Sequence, residues 1–179
     1  GNWHIKLENV SQGIAEEISE RPDVTAVGAS SVFNFDGELP YRINEKRAAL
    51  YGTEETYMNE ISDGITEGTF PQGNQEVLLS PNAATAFGVQ IGDSITLHTP
   101  AGDTAFTVSG FGTDDKGYYE NQTYLVGVYM TQAAFTSLME QNEITDNEPA
   151  YYVQFEDAAK ATKAITELQA QYQLSEDSI

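Results

Sequence analysis

The segment Gly68-Thr-Phe-Pro-Gln-Gly-Asn-Gln-Glu-Val-Leu-Leu-Ser80 continues as Pro-Asn-Ala-Ala-Thr-Ala-Phe-Gly88, and the two pieces together predict a strand followed by a short helix. Glu76–Leu79 is a short, mainly apolar run of the kind found in buried strands. Ser80 is a favourable helix N-cap, and Pro81 suits the first helical position because its missing N–H has no partner there. Gly88 readily adopts the left-handed conformation in which many helices end.

The same stretch continues as Val-Gln-Ile-Gly92-Asp93-Ser-Ile-Thr-Leu97 and closes through Ala101-Gly102-Asp103 into Phe106-Thr-Val-Ser-Gly110. The Gly92-Asp93 pair is typical of a turn. Ser94–Thr99 and Thr104–Ser109 alternate between polar and apolar residues, which predicts a hairpin around the Ala-Gly-Asp loop. The complete stretch therefore predicts a β-rich unit that contains one short helix.

The N-terminal segment has the order strand, helix, strand. Trp3–Leu7 alternates like a strand, and a helix follows Asn9 or Ser11, either of which is a suitable N-cap. Val24–Phe35 is the second predicted strand, and Asp36-Gly37 predicts a tight turn directly after it.

The middle of the chain is predicted to be rich in strands and loops. Tyr41–Ile43 and Ala48–Tyr51 indicate two short strands around the loop Asn44–Arg47. Thr56–Ile61 is ambiguous between strand and helix, and the polar segment Thr113–Gln122 predicts an exposed loop.

In the C-terminal segment, two strands alternate with two helices, for which Thr131 and Asp157 are the predicted N-caps. The elements are the strand Tyr124–Met130, the helix Gln132–Gln141, the strand Tyr151–Phe155 and the helix Ala158–Tyr172.

These elements predict an α+β fold. Two βαβ-like outer segments, residues 1–40 and 121–179, would form one α/β lobe. The inserted β-rich lobe would be residues 41–120, with the short helix inside it. Pairing between strands of the outer segments would bring the two chain ends close together.

The charge of the chain restricts its partners. It has 28 acidic and 8 basic residues, a net charge of −20, and no Lys or Arg from Ala48 to Asp115. Nucleic-acid binding needs a basic surface, so we expect no nucleic-acid partner. Adhesion to an anionic membrane is also disfavoured, whereas a cationic ligand would be attracted at long range. The simpler interpretation is that the charge keeps the surface solvated.

The residues needed for catalysis are largely missing. The chain has no cysteine, and His4 and His98 lie in predicted strands without a metal-binding spacing. We expect no enzyme activity, no metal and no cofactor, although Asp114-Asp115 leaves a weak surface calcium site as an alternative.

The chain opens with Gly1-Asn2 rather than Met, and no apolar run approaches the roughly 18–20 residues that span a bilayer. We therefore expect it to be part of a longer protein whose flanking segments carry targeting or membrane elements.

Five consecutive segments resemble the extracytoplasmic domain of MacB/FtsX-type ABC transporter permeases. They read Glu-Gly-x-Phe-Pro, Asn-x-Glu-Val-Leu-Leu-Ser, Ala-x-x-Phe-Gly, Ile-Gly-Asp-x-Ile-Thr-Leu and Phe-Thr-Val-Ser-Gly-Phe, and they are Glu67–Pro71, Asn74–Ser80, Ala84–Gly88, Ile91–Leu97 and Phe106–Phe111. The order of elements outside these segments is also similar to that of the family.

The resemblance implies a non-catalytic domain inserted between the first two membrane helices of a permease, with a porter-like outer α/β lobe. It would transmit ATP-driven motion of those helices to export or signalling outside the membrane, as an extracytoplasmic domain tethered to the cytoplasmic membrane. The implied partners are a cognate ABC ATPase, a second permease copy in a homodimer, and a peptide or protein outside the cell.

The family's motif positions imply structural rather than chemical roles in this chain. They are Gly68, Pro71, Ser80, Gly88, Gly92, Asp93 and Gly110. The predicted loop beyond Gly112 is the candidate partner contact, and it contains Asp114, Asp115, Tyr118 and Tyr119.

Two alternatives to the permease remain open at this point. One is a secreted binding module for a carbohydrate or a cationic peptide, for which an exposed aromatic platform on the β-rich lobe would be the sign. The other is a hydrolase, which would need a pocket that pairs a carboxylate with a nucleophile.

Overall fold

The computed structural model describes residues 2–113 and 125–179. The fold is dominated by strands and has few helices, which confirms the predicted α+β class. In chain order the elements are β1 (Ile5–Leu7), α1 (Gln12–Ser19), β2 (Val24–Phe33), β3 (Arg42–Ile43), β4 (Lys46–Thr53), a π-helical turn (Tyr57–Ile61), β5 (Ile65–Gly68), β6 (Glu76–Leu79), α2 (Asn82–Phe87), β7 (Ser94–Thr99), β8 (Gly102–Gly112), β9 (Leu125–Thr131), α3 (Gln132–Gln141), β10 (Ala150–Phe155), α4 (Ala158–Tyr172) and a short 3₁₀ turn (Glu176–Ser178).

The chain forms two compact units, each built from separate segments of sequence. The first unit comprises the described residues of Gly1–Ser30, Glu54–Asp63 and Glu148–Ile179. The second comprises those of Ser31–Thr53 and Gly64–Asn147. The predicted lobes, residues 1–40 with 121–179 and residues 41–120, have other boundaries and stay a prediction.

The first unit is a small antiparallel sheet with two helices that share its core. β10 lies between β1 and β2, with Val153 opposite Ile5 on one side and opposite Val27 on the other. Both helices begin at capped residues, since the Ser11 hydroxyl accepts the N–H of Ile14 at 3.2 Å and Asp157 caps α4 in the same way. The buried residues that join sheet and helices are Ile5, Leu7, Ala15, Ile18, Ala29, Tyr151, Val153, Phe155, Ala161, Ala164 and Leu168.

The two chain ends meet in this first unit. The backbone N–H of Glu8 donates to the carbonyl of Ser178 at 3.0 Å. Trp3 and Ile179 line the same open cleft of about 380 Å³. The predicted proximity of the chain ends is therefore confirmed.

The ambiguous segment Thr56–Ile61 forms a π-helical turn rather than a strand. Met58 and Ile61, three positions apart, are both fully buried, which is helical rather than alternating spacing. The turn packs directly on β2, because a β-carbon at Gly28 would come within 2.8 Å of the Tyr57 backbone. Alternation in the sequence concealed this spacing, so the helical turn could not be distinguished from a strand.

The second unit is built on a mixed sheet. β4 and β9 are parallel, with Ala48 opposite Val126, and β6 runs antiparallel to β9 and parallel to β8. α3 directly follows β9, and its residues Ala134, Phe135, Leu138 and Met139 are all buried in the core of this unit. The Thr131 hydroxyl accepts the N–H of Ala134 at 3.1 Å, which confirms the predicted cap.

Two hairpin loops are shorter than predicted. β3 and β4 pair as far as Ile43 opposite Lys46, so Lys46 and Arg47 belong to a strand instead of the loop. β7 and β8 pair as far as Thr99 opposite Gly102, so Gly102 and Asp103 also lie in a strand. In both cases the backbone pairing continues through polar residues, which the search for apolar alternation treated as loop.

The strand β5 was not predicted. It pairs antiparallel with β8, with Gly68 opposite Gly110 and Ile65 opposite Gly112. Its sequence, Ile-Thr-Glu-Gly, is too short and too polar for a strand signal. The glycines Gly68 and Gly110 are the sequence feature that indicates this pairing, because they permit a close approach of the two backbones.

Candidate functional site

The residues with catalytic potential are held in structural contacts. The Nδ1 atom of His4 accepts the backbone N–H of Phe155 at 2.9 Å, next to an irregularity in the β10 register between Gln154 and Phe155. His98 Nδ1 lies 2.8 Å from Asp103 on the β7–β8 hairpin, where both side chains are partly exposed. Within residues 2–113 and 125–179, no group of three or more His, Asp or Glu side chains could hold a metal ion.

Ser80 does not cap α2 as the sequence predicted. Its backbone carbonyl accepts the N–H of Ala83, while its N–H donates to the Gly127 carbonyl at 2.9 Å. The Ser80 hydroxyl accepts the Gly127 N–H at 2.8 Å. The Ser80 carbonyl bonds to Ala83 and is not available to Gly127, so the Ser80 hydroxyl accepts the Gly127 N–H in its place. This bond extends the pairing of β6 with β9 by one residue.

The remaining motif positions lie at turns and close contacts of the second unit. Gly88 ends α2 in the left-handed conformation, with φ 63°. Gly92 has φ 93°, and the Asp93 carboxylate closes this turn by accepting the Gln90 N–H at 2.8 Å. Pro71 is buried in the connection between β5 and β6. Gly68 and Gly110 face each other across β5 and β8.

The predicted partner-contact residues of the loop after Gly112 lie outside the described residues. These residues are Asp114, Asp115, Tyr118 and Tyr119. Thr113, the last residue before this segment, is described, and its hydroxyl lies 2.7 Å from the Tyr129 hydroxyl.

Asp23 and Tyr57 are two residues of the first unit whose pKa values are shifted. Arg21 forms a two-pronged contact with Asp23, at 3.0 and 2.9 Å, and a further contact with Glu167 at 2.9 Å. The hydrogen bonds from Arg21 lower the pKa of Asp23. Burial raises the pKa of Tyr57 to about 12, and the neighbouring Tyr152 adds to this effect. Asp23 is held in the ion pair with Arg21, and the Tyr57 ring packs against Tyr152 at 5.1 Å.

Trp3 is the exposed aromatic residue of the first unit. Its ring packs edge-on against Tyr152 at 5.1 Å, beside an open cleft of about 460 Å³. The polar groups of this cleft bond to one another, since Gln154 donates to the Asn2 carbonyl and accepts from the Thr25 hydroxyl. The Thr25 hydroxyl, the Gln154 amide and the Asn2 carbonyl are therefore already paired.

Exposed apolar side chains of the second unit concentrate around one turn. Val32, Phe35 and Leu39 are 43%, 50% and 47% exposed, and all lie within five residues of Asn34. Asn147 donates to the Val32 carbonyl at 3.0 Å, which places the neighbouring Asp146 beside this group. We call Val32, Phe35 and Leu39, with the acidic residues Asp36, Glu38 and Asp146 around them, the Asn34 patch.

The turn that carries the Asn34 patch is held by the buried Asn34 side chain. Its amide nitrogen donates to the carbonyls of Leu39 and Ala48, each at 3.0 Å, and its amide oxygen accepts the Leu39 N–H at 2.8 Å. Asn34 has φ 60°, a left-handed conformation that Asn tolerates better than most residues. Arg47 donates to the carbonyls of Gly37 and Glu38. Side-chain hydrogen bonds from Asn34 and Arg47 therefore hold the turn.

The sequence predicted this turn from Asp36-Gly37 but not the patch. The sequence did contain a signal for the patch, since Phe35 and Leu39 are large apolar residues on either side of a turn. In the structure both side chains are about half exposed, at 50% and 47%.

The sequence similarity of the chain now identifies its family. Residues 4–171 match the family described as the MacB-like periplasmic core domain. The chain belongs to this family. The resemblance found in the five motif segments is thereby confirmed, and the chain is an extracytoplasmic domain of the type found in MacB/FtsX-like ABC transporter permeases.

Solved structures share the fold of this MacB-like periplasmic core domain. The extracellular domain of the ABC-type transporter YknZ from Gram-positive bacteria is 18% identical, with a TM-score of 0.57 over 93% of this chain and 86% of that chain. The periplasmic region of MacB from Actinobacillus actinomycetemcomitans is 19% identical, with a TM-score of 0.56 over 95% of this chain and 75% of that chain. No curated protein matches the chain in sequence.

The helices of this MacB-like periplasmic core domain are short or amphipathic. Among the described residues, none is both long enough and apolar enough to cross a membrane.

Proposed function

We propose that this domain transmits ATP-driven motion of membrane helices to export or signalling outside the membrane. It would do so without catalysis of its own, as the external part of a permease that works with a cognate ABC ATPase. Support comes from the family match over residues 4–171. In the complete protein the domain would be tethered to the cytoplasmic membrane, on the cell surface or in the periplasm.

The observation that carries this proposal is the position of the chain ends. The contact between Glu8 and Ser178, at 3.0 Å, holds both ends of the chain in the first unit. Two neighbouring membrane helices attached there would move one unit directly. A domain with ends far apart would instead be stretched by the same motion.

The experiment follows the height of the domain above the membrane. The chain has no cysteine, and the side chain of Lys163 is 81% exposed on α4. Lys163→Cys in the full-length permease therefore accepts one fluorescent donor, and acceptor-labelled lipids in a nanodisc report its distance from the bilayer. With the ATPase bound, we expect energy transfer to change between the nucleotide-free and ATP-bound states.

The control uses an ATPase subunit that cannot bind ATP, with which energy transfer should stay constant. Equal transfer in all nucleotide states of the active complex would contradict the proposal. Light scattering on the same nanodiscs tests the further proposal that the permease is a homodimer.

The alternative of a secreted carbohydrate-binding module has little support. Among the residues that the structure describes, the exposed large apolar side chains include two aromatic rings, Trp3 and Phe35, and these belong to different units. Sugar sites commonly use an aromatic platform with free polar groups around it. Trp3 stands edge-on to the half-buried Tyr152 at 5.1 Å instead of beside a second exposed ring.

A further inference from the structure

We propose that an uncharged cleft beside α3 is a binding site for a neutral peptide segment that carries an apolar side chain. The cleft lies within the second unit, between the helix α3, the strand β8 and the residues directly before β6. We call it the α3 cleft, and its volume is about 200 Å³. This inference concerns what the domain binds, and it does not depend on ATP-driven motion.

The α3 cleft is built from one face of a helix and one face of a strand. Ser137 and Gln141 are four positions apart on α3, so they lie on the same side of that helix, with Leu138 next to them. Thr104 and Phe106 are two positions apart on β8 and share one face of that strand. Regular elements therefore supply two walls of the cleft.

Polar side chains in the α3 cleft are unused. Within residues 2–113 and 125–179, the side chains of Gln75, Ser137 and Gln141 make no hydrogen bond. All three residues are exposed, so their donors and acceptors face water. A ligand can replace that water and form hydrogen bonds without breaking any contact inside the protein.

Other contacts hold the residues before β6 in place. The Gln75 carbonyl accepts the Thr107 N–H at 2.8 Å, which fixes the backbone of Gln75 against β8. The Asn74 amide oxygen accepts the Thr131 hydroxyl at 2.7 Å, so the two N–H groups of that amide remain for a ligand. The same hydroxyl accepts the N–H of Ala134 at the start of α3. Groups that are ordered before binding lose little conformational entropy when a ligand arrives.

The chemistry of the lining selects a neutral ligand with peptide groups. None of the described residues around the α3 cleft is ionisable, so a charged ligand would lose hydration there without gaining an opposite charge. Asn74, Gln75 and Gln141 each carry an amide, which has both donors and an acceptor. A peptide group also has one of each, so amide side chains complement a peptide backbone.

The buried residues of the α3 cleft favour a peptide over a sugar. Phe106 and Leu138 are 4% and 3% exposed, so the Phe106 ring offers no open face on which a sugar could stack. Together they form an apolar base that an apolar side chain can contact. At about 200 Å³ the cleft is smaller than most pockets for drug-sized ligands, which suits one side chain and its neighbouring peptide groups.

The test is an NMR titration of the ¹⁵N-labelled chain in about 0.5 M salt, which screens its net charge of −20. The first probe is a capped octapeptide of Gln and Ser with a central Leu. The others are the same peptide with Ser in place of Leu, the same peptide with Asp on both sides of Leu, and maltotriose. The first probe should shift the side-chain amide signals of Asn74, Gln75 and Gln141. The other three should bind at least about fivefold more weakly.

Two variants and two matched controls locate the binding. Gln75→Ala with Gln141→Ala should weaken binding of the first probe at least about fivefold and leave the fold intact, because neither side chain bonds within the described residues. Ser137→Phe should block the α3 cleft with its ring. Gln90→Ala and Thr136→Phe change exposed residues of the same unit that do not line the cleft, so they should leave the affinity unchanged.

Other outcomes would overturn the proposal. Equal affinity of the double variant, Ser137→Phe and the unaltered chain would place any binding elsewhere. Equal binding of the peptides with Leu and with Ser would show that the apolar base is not used. Tighter binding of maltotriose would assign the α3 cleft to a sugar, and tighter binding of the Asp peptide would contradict selection of a neutral ligand. None of these results bears on the transmission of motion, because the assay contains no ATPase and no membrane helices.

Discussion

Gly68 lies directly opposite Gly110 in the antiparallel pair of β5 and β8, and neither position has room for a β-carbon. A β-carbon at Gly110 would collide with the Glu67 carbonyl and come within 3.0 Å of the Thr69 nitrogen. Gly110 also pairs with Leu78 of β6, so β8 is held on both sides at this point. The two glycines therefore set the distance between strands.

Replacing Gly110 with Ala should destabilise the second unit. The β-carbon meets backbone atoms, which cannot rotate away as a side chain can, so we expect a loss of about 2 to 4 kcal/mol in the free energy of unfolding. Urea denaturation measures this change in the free energy of unfolding. Gly73→Ala is the matched control, because no atom lies within 4 Å of its β-carbon. A control loss as large as that of Gly110→Ala would refute the steric explanation.

Replacing Ser80 with Ala should cost about 1 to 3 kcal/mol, because the Gly127 N–H would lose its acceptor in the interior. Amide hydrogen exchange should accelerate at Gly127 in particular. Ser137→Ala, on the exposed face of α3, serves as the control and should change stability by less than about 0.5 kcal/mol. Unchanged exchange at Gly127 would mean that the hydroxyl does not serve the strand pairing.

Alkaline pH should destabilise the first unit through Tyr57. Burial raises its pKa from the ordinary 10.0 to about 12, so between these values the unfolded chain loses a proton that the folded chain keeps. Stability attributable to this group is complete below pH 10 and falls by about 2 to 3 kcal/mol as pH rises through 12.

The Tyr57 effect can be measured from unfolding free energies at several pH values, with and without Tyr57→Phe. The variant should show a smaller alkaline loss, whereas Tyr172→Phe, at the end of α4, should retain most of it. Parallel pH profiles for Tyr57→Phe and the unaltered chain would exclude Tyr57 as the cause.

Acid pH should weaken the contact between Arg21 and Asp23. Hydrogen bonds from Arg21 lower the pKa of Asp23 below its ordinary 3.8, so the stability that this contact provides is present above that value. It disappears as pH falls through the lowered pKa, where the folded carboxylate takes up a proton. Arg21→Ala should therefore cost up to about 1 kcal/mol near pH 7 and almost nothing at the acid end.

The control for this contact is Lys163→Ala, which removes a more distant ion pair, 3.9 Å from Glu167, and should have little effect at any pH. A loss in Arg21→Ala that is the same at neutral and acid pH would show that Arg21 acts through packing of its stem instead.

Helices with local signals were predictable, and contacts between distant segments were not. Thr131 and Asp157 are caps in the sequence and in the structure, because a cap and its helix are neighbours in the chain. Ser80 carries the same local signal but bonds to Gly127, which the sequence places far away. The Ser80 hydroxyl could accept an N–H from the first turn of α2 or from Gly127, and only the folded structure decides between the two.

The turn at Asn34 shows the same limit. Asp36-Gly37 predicted a turn, but one of the hydrogen bonds that hold it joins Asn34 to Ala48, 14 positions away in the sequence. The family resemblance was predictable because it rests on the order of glycines and apolar residues, and those positions determine backbone shape. A partner is selected by side chains on the surface, which that order does not restrict.

The contact between Glu8 and Ser178 also has a topological consequence. Because the two ends of the chain lie side by side, a few linking residues would join them into a ring, and the ring could be reopened elsewhere. The exposed connection between α3 and β10, where residues 144–149 have no regular structure, is a suitable place. Such a circular permutant would keep every strand pairing. The same fold could therefore be built from a chain whose segments come in a different order.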